Sequence, residues 1–359
     1  MTLNKLGSPD VLKTKQHFEV LDGLRGVAAL CVVFYHFLQV DYSKNFLEHG
    51  FLAVDFFFCL SGFVIGYAYD DRIAKMGIVE FFKSRIIRLH PMVILGSVLG
   101  LLAFLFNPFN NQPELFGTGK ILLLFLSSIL LIPSPVVYHH SSPLFVFNVP
   151  AWSLFWEYMA NMLYAFILCH IGRRFLLLLT IVAAIAIYFV AYHSGSLAGG
   201  WAQDTFWVGC ARICYSFLAG LLIYRFNWII KNKLGFIGMA VLLIIAFTMP
   251  FSKGYRLIQV LTVLFYFPLL ITLGAGATLT PALKKLCVFF GKISYPLYMT
   301  HYMIAWIFTD YYNKYKPATI QLFLFGIAGT LLLLGVAYLI MIAYDIPVRR
   351  YLTNKRKTS

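Results

Sequence analysis

Apolar runs separated by short polar connections recur along the whole chain, near 24–41, 50–69, 91–107, 151–171, 175–193, 205–225, 234–251, 256–275, 291–309 and 319–345, with a shorter run at 120–133. A helix of roughly 20 residues rises about 30 Å, the thickness of a hydrocarbon core, and each long run is of that order. Backbone groups in lipid must find their partners within the segment, so the pattern predicts helices. The expected fold is all-α: a polytopic integral membrane protein with about ten transmembrane helices and one short re-entrant or interfacial helix.

The polar connections orient this array. Basic residues gather at the N-terminus (Lys5, Lys13, Lys15), from Arg72 to Arg88, at Arg173 and Arg174, from Arg225 to Lys233, at Lys284 and Lys285, and from Arg349 to Lys357. The positive-inside bias makes these cytoplasmic, both termini included. If all the runs crossed, the basic tail would lie outside; the run at 120–133 is the shortest and is expected not to cross. The stretch 134–150, with Pro135, Pro143, Pro150 and the adjacent His139 and His140, becomes an outward loop, while Lys253 and Arg256 stay outside against the rule. The chain divides into a polar N-terminal segment (1–18), a transmembrane domain (19–348) and a basic tail (349–359). No secretory signal is expected, because the first eighteen residues lack an apolar core.

Composition agrees: 60% of residues are hydrophobic and only 12% charged, and the mean hydropathy is +0.79, too apolar for a water-facing surface. A net charge of +15 needs no nucleic acid to explain it once the basic residues are placed in cytoplasmic connections. Cys31, Cys59, Cys169, Cys210, Cys214 and Cys287 lie in apolar segments without CxxC or paired Cys/His spacing. Reduced thiols are expected, and no metal site.

Charges at membrane depth are costly, so those that persist are candidates for function. Asp55 and Glu157 are the acidic residues well inside runs, and His36 and His301 the clearest histidines. Arg25 and His36 are eleven positions apart, which at about 100° per residue is within about 20° of three full turns, so they share one helix face about 16 Å apart. His36, Asp55 and Glu157 fall at matching depths in the outer half, where a carboxylate can orient or charge an imidazole. Arg85 and Arg88 lie one turn apart at the cytoplasmic edge, where two guanidinium groups can grip one phosphate or anchor to lipid headgroups. Arg212 is a further buried cation. For His36, Asp55, Glu157 and His301, hydrogen bonding between helices is the alternative role. His36 and Asp41 fit an HxxxxD spacing, but on a continuing helix they point about 140° apart, so the match is read as accidental.

Several motifs together resemble the acyltransferase-3 family of membrane proteins, which includes bacterial polysaccharide O-acetylases. They are Leu21-Asp22-Gly23-Leu24-Arg25-Gly26 followed by His36; the run from Gly50 to Phe63 containing Asp55, Ser61 and Gly62; Arg85-x2-Arg88; Trp152-Ser153-Leu154-Phe155-Trp156-Glu157; and Gly291-Lys292-Ile293-Ser294-Tyr295-Pro296-Leu297-Tyr298 with His301. They occur in the family's order along nearly the whole chain. The family often carries a second acidic residue after the glutamate, where this chain has Tyr158.

The resemblance implies an enzyme of a bacterial cytoplasmic (inner) membrane that moves an acyl group, usually acetyl, from cytoplasmic acyl-CoA to a hydroxyl of a carbohydrate or lipid-linked glycan. Acyl-CoA is then a co-substrate, with no bound cofactor. Arg25, Arg85 and Arg88 would hold its phosphates. His36 would serve as general base or transient acyl carrier, supported by Asp55 or Glu157. Ser61 and Ser153 are secondary candidates as oxyanion donors, with His301 and Arg212 beside them. The competing reading is a proton-coupled transporter or flippase in which the same residues form a proton relay.

Overall fold

The computed structural model describes residues 17–41, 43, 45–110, 116–134, 142–251 and 254–358. Lys5, Lys13, Lys15, the stretch from Pro135 to His140, and Lys253 lie outside them. Among the described residues every regular element is a helix, and seven helical stretches are long and apolar enough to cross a membrane: Glu19–Leu38, Gly50–Tyr69, Ile78–Leu105, Arg173–Ser194, Phe206–Arg225, Tyr255–Gly276 and Thr319–Arg356.

The helices used below are α1 (Glu19–Leu38), α2 (Ala53–Tyr69), α3 (Ile73–Met76), α4 (Ile78–Leu105), α5 (Thr118–Leu130), α6 (Ala151–Leu163), α7 (Arg173–Ser194), α8 (Phe206–Arg225), α9 (Gly235–Thr248), α10 (Tyr255–Leu261), α11 (Phe267–Gly276), α12 (Pro281–Tyr315), α13 (Thr319–Ile340) and α14 (Ile346–Thr358). Single π-helical turns extend α6 (Tyr164–Leu168), join α10 to α11 (Thr262–Tyr266) and join α13 to α14 (Met341–Asp345). Such turns shift the register of the side chains that follow and often mark functional sites.

The run at 120–133 forms α5, whose 13 residues rise about 20 Å, short of a full crossing. It packs its buried Leu124 with Phe104 and Phe147. The run expected over 234–251 is helical only at Gly235–Thr248. The run at 291–309 is the middle of a 35-residue helix, α12. The helix expected from residue 91 starts at Ile78 and carries Pro91 inside it. Tyr295 donates to the carbonyl of Leu89 (2.5 Å) and Tyr344 to that of Pro91 (3.1 Å), so hydroxyls from α12 and the last π turn bind carbonyls next to the proline.

Two helix pairs position the chemistry. α1 packs along α12, and its contacts climb both helices together: Arg25 meets Gly291 and Ser294, and His36 meets His301, so the two run parallel. α2 packs along α8 in the same sense, with Asp55 on Arg212 at one end and Asp70 on Arg225 at the other. Lipid supplies no hydrophobic drive for helix pairing, so close approach through small residues takes its place. A methyl group on Gly62 would lie 2.0 Å from the Phe217 carbonyl oxygen, and one on Gly220 1.9 Å from that of Cys59. We expect Gly220→Ala to force α2 and α8 apart at a cost of about 1–3 kcal/mol, read as a lower unfolding midpoint in detergent. Gly335→Ala, where a methyl meets nothing within 4 Å, should leave it in place. Equal midpoints for the two variants would contradict the close crossing.

Candidate active site

α1, α2, α4, α6 and α12, with the last π turn and the start of α14, surround a cavity of about 340 Å³. Its cationic half is lined by Arg25, Arg85, Arg88, Lys292 and Arg349, and its other end by Phe57, Ser153 and Tyr298. Periodicity accounts for much of this lining. Gly291, Ser294, Tyr295 and Tyr298 follow one another at three- and four-residue steps, a single stripe of α12.

Most of the arginines are held by carboxylates. Arg25 bonds Asp22 (2.8 Å), the Gly291 carbonyl (2.7 Å) and Ser294 Oγ (3.0 Å). Arg85 bonds Glu157 Oε1 (2.7 Å), and its buried Nε has no partner among the described residues. Arg349 pairs with Asp345 across one helical turn. Arg88 and Lys292 face the cavity with no hydrogen bond or ion pair among the described residues. Five cations converge on one chamber, two of them outside any hydrogen bond or ion pair among the described residues, an arrangement that attracts anions.

Glu157 receives Ser61 Oγ (3.0 Å) as well as Arg85, both on Oε1. Its second oxygen takes no hydrogen bond among the described residues. Deeper in, Ser153 Oγ lies 2.9 Å from both the Pro150 carbonyl and the Tyr298 hydroxyl. The carbonyl can only accept, so Ser153 donates to it when Tyr298 donates to Ser153.

Beyond Tyr298 come the histidines. The Tyr298 and His301 rings are 5.7 Å apart between centroids, and those of His301 and His36 5.1 Å. His36 also packs edge-on against Tyr35 and Tyr302, and its buried Nδ1 has no partner among the described residues. Arg25 and His36 thus share the α12-facing side of α1, as their spacing requires.

The expected meeting of His36, Asp55 and Glu157 takes a different form. Asp55 has no side-chain exposure and pairs with Arg212 through Nη2 (2.6 Å) and Nε (3.1 Å to each oxygen). Arg212 also donates to the carbonyls of Gly199 (2.7 Å) and Phe51 (3.0 Å) and lies over Trp152. Neither Asp55 nor Glu157 hydrogen-bonds to His36. Depth in a membrane can be counted from a helix end, but the direction a side chain takes around its axis depends on which helices are neighbours. Arg212, expected to be a cation of unknown partner, is the partner of Asp55.

Asp22, Tyr295, Tyr298, Lys292, Asp345 and Arg349 line the cavity, although sequence reasoning assigned them no role. Arg349 was expected to open a basic tail, yet α14 continues from the π turn and carries it to the cavity. The signals were the α12 stripe and the i, i+4 spacing of Asp345 and Arg349. Among the described residues no cluster of histidine, cysteine and carboxylate side chains has the makings of a metal site.

A family model described as an acyltransferase domain matches residues 18–342. Protein 2 in the picA locus of Rhizobium radiobacter is 34% identical over 159 residues, covering 42% of this chain and 82% of that protein. The O-acetyltransferase OatA of Staphylococcus aureus is 25% identical over 373 aligned residues, covering 97% of this chain and 59% of that enzyme. The chain therefore spans little more than half the length of the staphylococcal protein. No solved structure matches it. Since the matched residues run from α1 to the end of α13 and include Arg25, Arg85, Arg88 and Glu157 of the cavity together with His36 and His301, this integral membrane protein belongs to the acyltransferase-3 family.

Proposed function

We propose that the protein is an O-acyltransferase, of the O-acetyl type, that takes its acyl group from cytoplasmic acyl-CoA and passes it to a hydroxyl of a cell-envelope or secreted carbohydrate. The observation that carries this reading is the cavity's polarity: a cationic chamber on one side and the Ser153 and Tyr298 hydroxyls on the other, with the imidazoles of His301 and His36 packed behind Tyr298. The family membership and the name of the staphylococcal relative support acyl transfer.

Arg25, Arg85 and Arg88, with Lys292 and Arg349, bind the nucleotide and diphosphate of the donor. The pantetheine arm follows the α1–α12 seam toward His36, about 16 Å along the helix from Arg25. Glu157 orients Arg85, and with Ser153 donating to the Tyr298 oxygen the Tyr298 hydroxyl is free to donate to the thioester carbonyl, where it stabilises developing negative charge. His36 is the general base for the acceptor hydroxyl or the transient acyl carrier. Asp55 acts through Arg212, which holds the turn before α2 by its Phe51 carbonyl. The membrane is the bacterial inner membrane, with both termini and the arginine mouth on the cytoplasmic side.

Labelled acetyl-CoA and glycan acceptors supplied to inverted vesicles test the reading: label should move to glycan. Arg88→Ala should raise the KM for acetyl-CoA about tenfold or more, the loss of one charge-assisted contact of about 1.5–3 kcal/mol, while kcat changes less. Proton-coupled uptake with no acyl turnover for any donor and acceptor would replace this reading by a carrier.

A further inference from the structure

His301 sits on the donor side of His36. Rings follow one another from the cavity outward as Phe57, Tyr298, His301 and His36, at centroid separations of 5.6, 5.7 and 5.1 Å. The protonation of His301 is written in its contacts. Its Nδ1 lies 2.7 Å from the Tyr298 carbonyl oxygen, which can only accept, so the proton is on Nδ1. The other nitrogen, Nε2, is then a bare lone pair in the neutral ring. It is buried, the residue has 0% exposure, and no described group donates to it. An unsatisfied buried acceptor costs about 1–3 kcal/mol, and here it lies on a ring packed against His36.

We propose that His301 is a proton-relay residue, carrying the acceptor's proton from His36 toward the departing sulfur. The inference rests on the acyl-CoA-dependent reading of the site. The proton released where the acceptor is attacked ends on the sulfur of the departing coenzyme A, and a second imidazole packed on the donor side of His36 offers it a path there. The acceptor O–H bond breaks as its oxygen bonds the acyl carbon, and the proton passes to His36. The C–S bond breaks, His36 passes the proton to Nε2 of His301, and His301 delivers it to sulfur. Both rings finish neutral, coenzyme A leaves as the thiol, and the Nδ1 proton stays on the Tyr298 carbonyl throughout. A backbone-anchored ring suits this task, since it changes charge without changing tautomer at the anchored nitrogen.

The test is His301→Asn, whose amide keeps a donor toward the Tyr298 carbonyl but has no basic nitrogen. We expect kcat for acyl transfer to fall about 100-fold or more, the scale of a lost acid–base group, with the KM for acetyl-CoA within about threefold of wild type. A kcat close to wild type would overturn the relay. For the intact protein, kcat in mixed H2O and D2O should fall along a bowed curve, as two proton sites move together. A straight line would reject the proposal even if the variant fails to fold. Should wild type transfer no acyl group from any acyl-CoA, the failure belongs to the proposed function and removes the basis of the relay with it. Transfer by wild type with an unaffected variant would defeat the relay alone.

Discussion

His36→Ala is expected to lower kcat for acyl transfer by about 10²- to 10⁴-fold, the range found when a positioned general base is lost. The protein should fold normally, since His36 is held by ring packing and by a hydrogen bond with Gln39 in its own helix turn. Acetyl-CoA affinity should be nearly unchanged, because Arg25, Arg85 and Arg88, the residues proposed to hold it, line the cavity and His36 does not. A thermal-shift titration with coenzyme A should therefore give the same curve for variant and wild type while turnover differs. Turnover equal to wild type would remove His36 from the chemistry. A lost coenzyme A shift would mean that the variant disturbs the cavity rather than the reaction.

Asp55→Ala has the second large expected effect, on folding rather than on chemistry. It leaves the Arg212 guanidinium buried beside two carbonyls and an indole ring with no counter-charge. Breaking a buried pair from one side costs about 3–5 kcal/mol, because the remaining ion stays desolvated and unpaired. The variant should be recovered in low yield with a sharply lower unfolding midpoint. Asp55→Leu combined with Arg212→Met should regain much of that loss, since an apolar pair removes both charges at once. A stable Asp55→Ala protein with no turnover would reverse the assignment and return Asp55 to the reacting groups.

The two residues show why sequence reading reaches some features and not others. The register of Arg25 and His36 follows from helix geometry alone, and the structure gives both the same partner helix, α12. Asp55 and His36 were matched by depth, a reading along the helix axis. The structure turns Asp55 toward α8 and His36 toward α12. Arg349 was given no place in the site for a related reason: α14 continues from a π turn, and which way residue 349 faces depends on that turn.

The apolar runs, their lengths and the basic connections determined the class of this protein, because lipid permits few solutions for a buried backbone and charge at depth is too costly to be casual. The ordered motifs determined its family, and helix period alone put Arg25 and His36 on one face. Tertiary structure decided the pairing of Asp55 with Arg212 and of Glu157 with Arg85. It also joined Arg349 to the cavity and set His301 between His36 and Tyr298. The reason is geometric: chain position fixes the height of a side chain along its helix, but its neighbour depends on helix packing, where glycine contacts such as Gly62 and Gly220 decide which faces meet.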